Sequence, residues 1–159
     1  MPGKILKILK NPDPILRKKS LEIPATDIGS KALTELCFSM AKTMLKRDGV
    51  GLAAPQIGKN IRVITVNTKD GQICMINPKI TSKSIAKEWG EEGCLSVPKM
   101  FGQVRRHKKV ACRFIDLGGE EVRLKAEGLL ARVIQHEIDH LDGILFIDKA
   151  KDLKEAAEE

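Results

Sequence analysis

Apolar residues at three- and four-residue steps (Leu33, Leu36, Cys37, Met40, Met44 and Leu45) predict an amphipathic helix running to about Lys46, with Asp27 or Ser30 able to cap its start. A glycine-rich loop follows, and then the pattern changes to short strand-like runs at 61–67, 72–77, 79–89 and 109–117. Gly118–Gly119 offers a hairpin turn into 120–126. From Leu129 to Leu141 the period is helical again, and Gly143 stands where a helix stops. Leu129, Val133, His136 and His140 advance by four, three and four, so they form one stripe that continues an apolar face inward. The pattern predicts an α+β fold: antiparallel β-sheets packed around a central helix bearing inward polar groups, with an N-terminal helix.

Composition narrows the class. A chain of 159 residues is long enough for one domain with a real core, and no repeat or linker divides it. The whole span 1–159 therefore reads as a single domain, with a short, polar, fraying tail from about 150. No apolar run approaches the ~20 residues of a membrane helix. Lys4, Lys7 and Lys10 interrupt any signal-like apolar stretch, so a cytoplasmic location is expected. Four cysteines without a CxxC pair fit buried thiols or a metal ligand better than disulfides. The net charge of +7 can favour a nucleic-acid-rich partner. Aromatic residues are only 3 %, however, so a base-stacking platform is poorly supplied and no specific nucleic acid is expected.

The chemistry concentrates in IQHEIDHLDG (134–143). Residues i and i+4 share a helix face, so His136 and His140 can reach one ion while Glu137 sits beside it, out of line to ligate. Zinc peptidases with this motif draw a third ligand from downstream; here the extended pattern fails at Phe146. Downstream carboxylates (Asp148, Asp152, Glu155, Glu158, Glu159) lie in or near the polar tail, and His107 lies in a basic cluster that repels a cation. Cys94, in the turn-like EEGCLSVP, is the better candidate, because a thiolate is a strong anionic ligand. Three protein ligands would leave a position open for water, as in catalytic sites.

Three segments in order, GVGLAAPQ (49–56), EGCLS (92–96) and HEIDH (136–140), resemble peptide deformylase, and the resemblance extends from about Ile5 to Lys149. It implies one metal ion per chain on Cys94, His136 and His140, with Glu137 as general acid/base. Gln56, through its side chain, and Leu95, through its backbone N–H, would hold the oxyanion. The implied metal is Fe2+, for which Zn2+, Ni2+ or Co2+ can substitute; the implied substrate is an N-formylmethionyl nascent polypeptide.

Around that frame, Val50, Leu129 and Val133 are the candidates for an apolar methionine pocket, the last two expected beside the metal because they share the ligand stripe. Gly49 and Gly51 would let the backbone approach the substrate. Glu92 is expected to pair with Arg106 and steady the cysteine loop. The GxGxxA pattern in the first segment also matches a dinucleotide loop, but it follows a helix and Pro55 disfavours helical geometry at Ala54. Two rivals remain: a general HExxH metallopeptidase, and a structural zinc site closed by Cys112 or His107. Lys99, Met100 and Phe101 depart from the family pattern, which puts substrate-backbone contacts there in doubt. Any ribosome contact is expected through the basic face rather than the acidic-ended tail, and nothing requires more than a monomer.

Overall fold

The structure, a computed structural model, describes residues 3–156. In chain order it contains α1 (Lys31–Lys46), β1 (Gly51–Ala53), β2 (Val63–Thr68), β3 (Gly71–Lys83), β4 (Lys87–Cys94), β5 (Val97–His107), β6 (Lys109–Ile115), β7 (Glu121–Glu127), α2 (Gly128–Leu141) and β8 (Lys151–Glu155). Every strand pairing is antiparallel: a five-stranded sheet in the order β1-β2-β3-β6-β7 and a three-stranded sheet in the order β4-β5-β8. The fold is α+β, with α2 between the sheets and α1 at the N-terminal side.

Ser30 settles the start of α1, because its hydroxyl accepts from the Leu33 N–H at 3.2 Å. Such a cap satisfies one of the otherwise orphaned donors of the first turn. Asp27 instead closes a single 3-10 turn, Ala25–Asp27. Leu33, Cys37, Met40 and Met44 pack on Leu52, Ala54, Val63 and Ile76, whereas Leu45 falls off the stripe and is exposed. The opposite core joins α2 to the large sheet: Ala131, Ile134, Ile138 and Leu141 lie against Ile64, Met75, Cys112 and Phe114. Each fully buried aliphatic side chain there contributes ~1.5–3 kcal/mol. Gly143, at φ 76°, ends the last turn of α2 as its position suggests.

Several strands differ from the hydrophobic pattern. The runs 72–77 and 79–89 are not two strands with a break at residue 78. They share β3, which carries a bulge between Ile76 and Lys79, and β4 begins only at Lys87. Asn77 sits at φ 50° in the bulge, its side chain bonded to the Ile23 N–H (2.8 Å) and C=O (2.9 Å). A bulge shifts the inside–outside alternation by one residue, which is why the pattern looks interrupted. β5 carries too many charges and too irregular a burial to register as a strand from its sequence.

The tail expected to fray from about 150 is instead β8, paired with β5 through Phe101↔Lys154 and Gln103↔Lys151. All its side chains are exposed, so main-chain hydrogen bonding rather than apolar burial holds it. Gly102 makes room, since a Cβ there would lie 2.8 Å from Ala150 and 2.9 Å from Leu153. Glu158 and Glu159 lie outside the described residues.

Candidate active site

Cys94 ends β4, and His136 and His140 project from successive turns of α2. Their donor atoms all lie within 4.8 Å of one another, with Cys94 Sγ 3.3 Å from His140 Nε2. The sheet and the helix supply a one-sulfur, two-nitrogen donor set that no single element could assemble. Among the described residues no other histidine, cysteine or carboxylate joins this cluster. Cys112 is buried in the sheet core, where burial pushes its thiol up to about 11, and His107 Nδ1 is 2.6 Å from the Ser84 carbonyl. Asp148 is bonded to Arg17, and Asp152 and Glu155 lie on exposed β8. The fourth ligand of a closed structural site is therefore not provided by these residues.

His136 turns one ring nitrogen away from the cluster: Nδ1 meets Glu92 Oε1 at 2.8 Å. Glu92 also accepts from Arg106 Nε and Nη2, both at 2.9 Å, and from Arg132 Nη1 at 2.7 Å. Arg106 in turn reaches Asp139 at 2.6 Å, and Lys149 meets the same Asp139 oxygen at 2.9 Å. Burial alone would raise the Glu92 carboxyl, but the His136 and Arg106 hydrogen bonds reverse that and hold it well below the usual carboxylate range. The network fixes the His136 ring and leaves Nε2 facing the cluster, the usual arrangement behind a metal-binding imidazole.

The donors suit a cation by their electrostatics as well as their positions. Burial lowers the His136 pKa, but Cys94, Glu137 and Glu92 outweigh it and raise it to about 10. His140 moves the other way, well below its ordinary value, through burial and the nearby His136 and Arg106 charges. With ring centroids 5.0 Å apart, the two imidazoles cannot both be charged. The pocket thus favours one positive charge at a position where either a proton or a metal ion satisfies it. One thiolate and two imidazoles match the preferences of divalent transition metals.

Glu137 is buried, and its Oε1 has no hydrogen-bond partner among the described residues. Burial raises its carboxyl to about 7, the His136 charge only partly opposing the shift. Gly51 on β1 is what admits it: a Cβ at residue 51 would lie 2.5 Å from Glu137 Oε2. Gln56 is held by the 3-10 turn Ala54–Ile57, its Oε1 accepting from the Ala53 N–H at 2.9 Å. Its Nε2 donates to Ser96 Oγ at 3.1 Å and lies 3.5 Å from Cys94 Sγ.

A cavity of ≈ 450 Å³ opens over these groups, lined by Val50, Gly51, Cys94, Leu95, Leu129, Val133, His136 and Glu137 among others. Val133 is buried in its wall, but Val50 is 49 % and Leu129 66 % exposed. Leu129 therefore lies at the mouth, not beside the histidines, because the first turn of α2 emerges from between the sheets. A wider depression of ≈ 790 Å³ around Lys19, Arg62, Lys79 and Arg113 shares no lining residue with this cavity and holds none of its donors. Arg132, Asp139 and Ser96 are absent from the sequence-based site. Arg132 and Asp139 flank His136 at i−4 and i+3, a spacing that could have suggested them.

The sequence pattern of the polypeptide deformylase family matches residues 5–156. The chain belongs to that family. Among deformylases, it is 52 % identical over 147 residues to the peptide deformylase of Halothermothrix orenii, covering 91 % of this chain and 93 % of that one. The Pelotomaculum thermopropionicum peptide deformylase is 45 % identical, with 94 % of each chain covered. Solved deformylase structures superpose closely. The actinonin-bound class I type b enzyme from Acinetobacter baumannii has a TM-score of 0.89 at 40 % identity, covering 94 % of this chain and all (100 %) of that one. The Thermotoga maritima deformylase has a TM-score of 0.89 at 37 % identity, covering 94 % and 99 %.

Proposed function

We propose that this protein is a metal-dependent hydrolase that removes the formyl group from the N-terminal formylmethionine of nascent polypeptides and releases formate. The carrying observation is Glu137: a buried carboxylate with an unpartnered oxygen and a pKa of about 7, beside three converging metal donors and opening onto the cavity. Family membership and the structure of the Acinetobacter baumannii enzyme with Met-Ala-Ser bound support the substrate class.

Cys94, His136 and His140 would hold the ion, which when bound supplies Lewis-acid polarisation and lowers the pKa of water towards ~7. Glu137 accepts the proton lost as water adds to the formyl carbonyl. It then returns that proton to the departing amine as the C–N bond breaks, and burial, which raises its pKa above the ordinary carboxylate value, favours holding the proton in between. Gln56 Nε2 and the Leu95 N–H are assigned to the oxygen on which negative charge develops; removing one such donor typically costs ~10²–10³ in rate.

Val133 lines the methionine pocket, with Val50 and Leu129 at its rim. β1 is the edge strand of the large sheet, so the backbone at Gly51, with Gly49 and Val50 just before it, can lie alongside an extended substrate. Fe2+ is the ion assigned, with Zn2+, Ni2+ or Co2+ as substitutes.

We assign a cytoplasmic location and a site that needs no second subunit, because Cys94, His136, His140, Glu137 and Gln56 already converge within the chain. No helix among the described residues is long and apolar enough to cross a membrane. Ribosome contact is assigned to the basic face on which Lys79, Arg113 and Arg123 stand opposite one another across β3, β6 and β7. Like charges in cross-strand register repel, and an anionic surface relieves that cost.

The test is anaerobic formate release from formyl-Met-Ala-Ser by the ferrous protein and by Glu137→Gln. Release by the parent, lost in a variant that still binds metal, supports the reading. Cleavage of unblocked or N-acetylated peptides at a comparable rate would favour the general peptidase instead.

A further inference from the structure

The two elements that supply the metal donors face each other as matched ladders. On α2, Arg132, His136 and His140 recur every four residues, ~6 Å per step. On β4, Gly90 and Glu92 stand two residues and ~7 Å apart on the side towards α2, and Cys94 follows beyond a register shift between Gly93 and Cys94. The last rung joins Cys94 to His140 at 3.3 Å, and the middle rung joins Glu92 to His136 at 2.8 Å. The first rung is Arg132. Its Nη2 donates to the Glu88 carbonyl at 3.0 Å, and its Nη1 to Glu92 Oε2 at 2.7 Å and the Val104 carbonyl at 2.9 Å. Gly90 leaves space for the guanidinium, since a Cβ there would lie 2.7 Å from Arg132 Cζ.

Arg106 also binds Glu92, but the consequences of losing the two arginines differ. Without Arg106, both Glu92 and Asp139 lose a buried cationic partner. Without Arg132, Glu92 keeps Arg106 and His136, while the Glu88 and Val104 carbonyls lose their tie to α2. We propose that Arg132 is a positioning residue: its fork, seated in the space left by Gly90, sets the separation of β4 from α2 and hence of Cys94 from the two histidines. The inference rests on Cys94, His136 and His140 being the ligand set.

The experiment loads the metal-free protein with Co2+ and follows two readouts, the thiolate-to-cobalt absorption band and the rate of cobalt loss to a chelator. A parent protein with no thiolate band would contradict the ligand set itself; the variants test Arg132 separately.

Arg132→Ala is expected to keep the fold, weaken and shift the band, and release cobalt ~10–100-fold faster, as for other groups that orient metal ligands. Arg132→Lys restores charge but not the planar fork, so fast release should persist. Millimolar guanidinium should slow release from Arg132→Ala by filling the vacated space. Gly90→Ala should release cobalt fast by displacing the fork, and adding it to Arg132→Ala should change little, because the Cβ then meets no guanidinium.

Release by Arg132→Ala within about twofold of the parent, against that ~10-fold expectation, would overturn the proposal. So would full restoration by lysine, or independent, multiplicative effects of the Gly90 and Arg132 changes.

Discussion

Replacing Gly51 by alanine tests the assignment of Glu137 with the smallest available perturbation. The residue is not in the left-handed region and pairs with Val66 as an ordinary strand residue, so the backbone accepts alanine without strain. The added methyl is the whole effect. It would lie 2.5 Å from Glu137 Oε2, 2.8 Å from Cγ and 2.9 Å from Cδ. Restoring ordinary contact requires the carboxylate to retreat by roughly 1 Å, in an interior too closely packed to absorb the move freely.

A misplacement of that size at a reacting group costs ~10²-fold in rate, about 2.7 kcal/mol of transition-state stabilisation. The accompanying overpacking should cost ~1–3 kcal/mol of stability, seen as a lower Tm. Formate release by the metal-loaded variant, corrected for metal content, gives kcat and KM separately. The loss is expected mainly in kcat. Gly49→Ala is the comparison, because its Cβ would press on the end of the Leu95 side chain at 3.2 Å and touch the Met44 carbonyl and Cγ at 3.4 and 3.5 Å, none of them near Glu137. If Gly51→Ala keeps kcat within about threefold of the parent while folded and metal-loaded, against the ~10² expected, Glu137 is not the base at this position.

Other expectations follow from the same residues. In the metal-free protein Glu137 is raised from 4.5 to about 7, so its contribution to stability is complete below pH 4.5 and is lost as the pH rises through about 7. Denaturant midpoints across that window should fall for the parent, and Glu137→Gln should remove this part of the slope. With metal bound, formate release should rise with pH as Glu137 ionises, and a bound cation should place that rise below pH 7. Arg106→Ala takes two arginine hydrogen bonds from Glu92, leaving it Arg132, and leaves Asp139 only Lys149. It should cost ~1.5–3 kcal/mol in urea unfolding together with lower metal retention, and unchanged values of both would contradict a stabilising role for the pairing. Exposure to air should inactivate the iron form faster than the nickel form, because iron beside a thiolate promotes oxidation of both the metal and Cys94. Equal decay of the two forms would contradict iron-driven damage.

Local patterning was enough for some of this architecture. The helical period around Met40 and around His136 is set by which face must leave water, and that requirement is written in neighbouring residues. The i, i+4 placement of the two histidines was readable for the same reason; Cys94, expected in a turn, instead ends β4 just before the turn at Leu95–Ser96. Three dispersed motifs then carried the family resemblance, which the match over residues 5–156 bears out.

Tertiary structure decided the rest. β5 and β8 exist because their backbones find partners, and the exposed side chains of β8 carry no trace of that pairing. Leu129 shares a stripe with His140 yet stands at the cavity mouth, since the stripe specifies a direction around α2 but not how far the helix reaches between the sheets. Arg132, ordinary in the sequence, becomes a brace only where β4 passes beside it with a glycine at position 90. Periodicity constrains each element on its own. The spacing between elements, on which the donor geometry depends, arises only when side chains distant in sequence compete for the same buried volume.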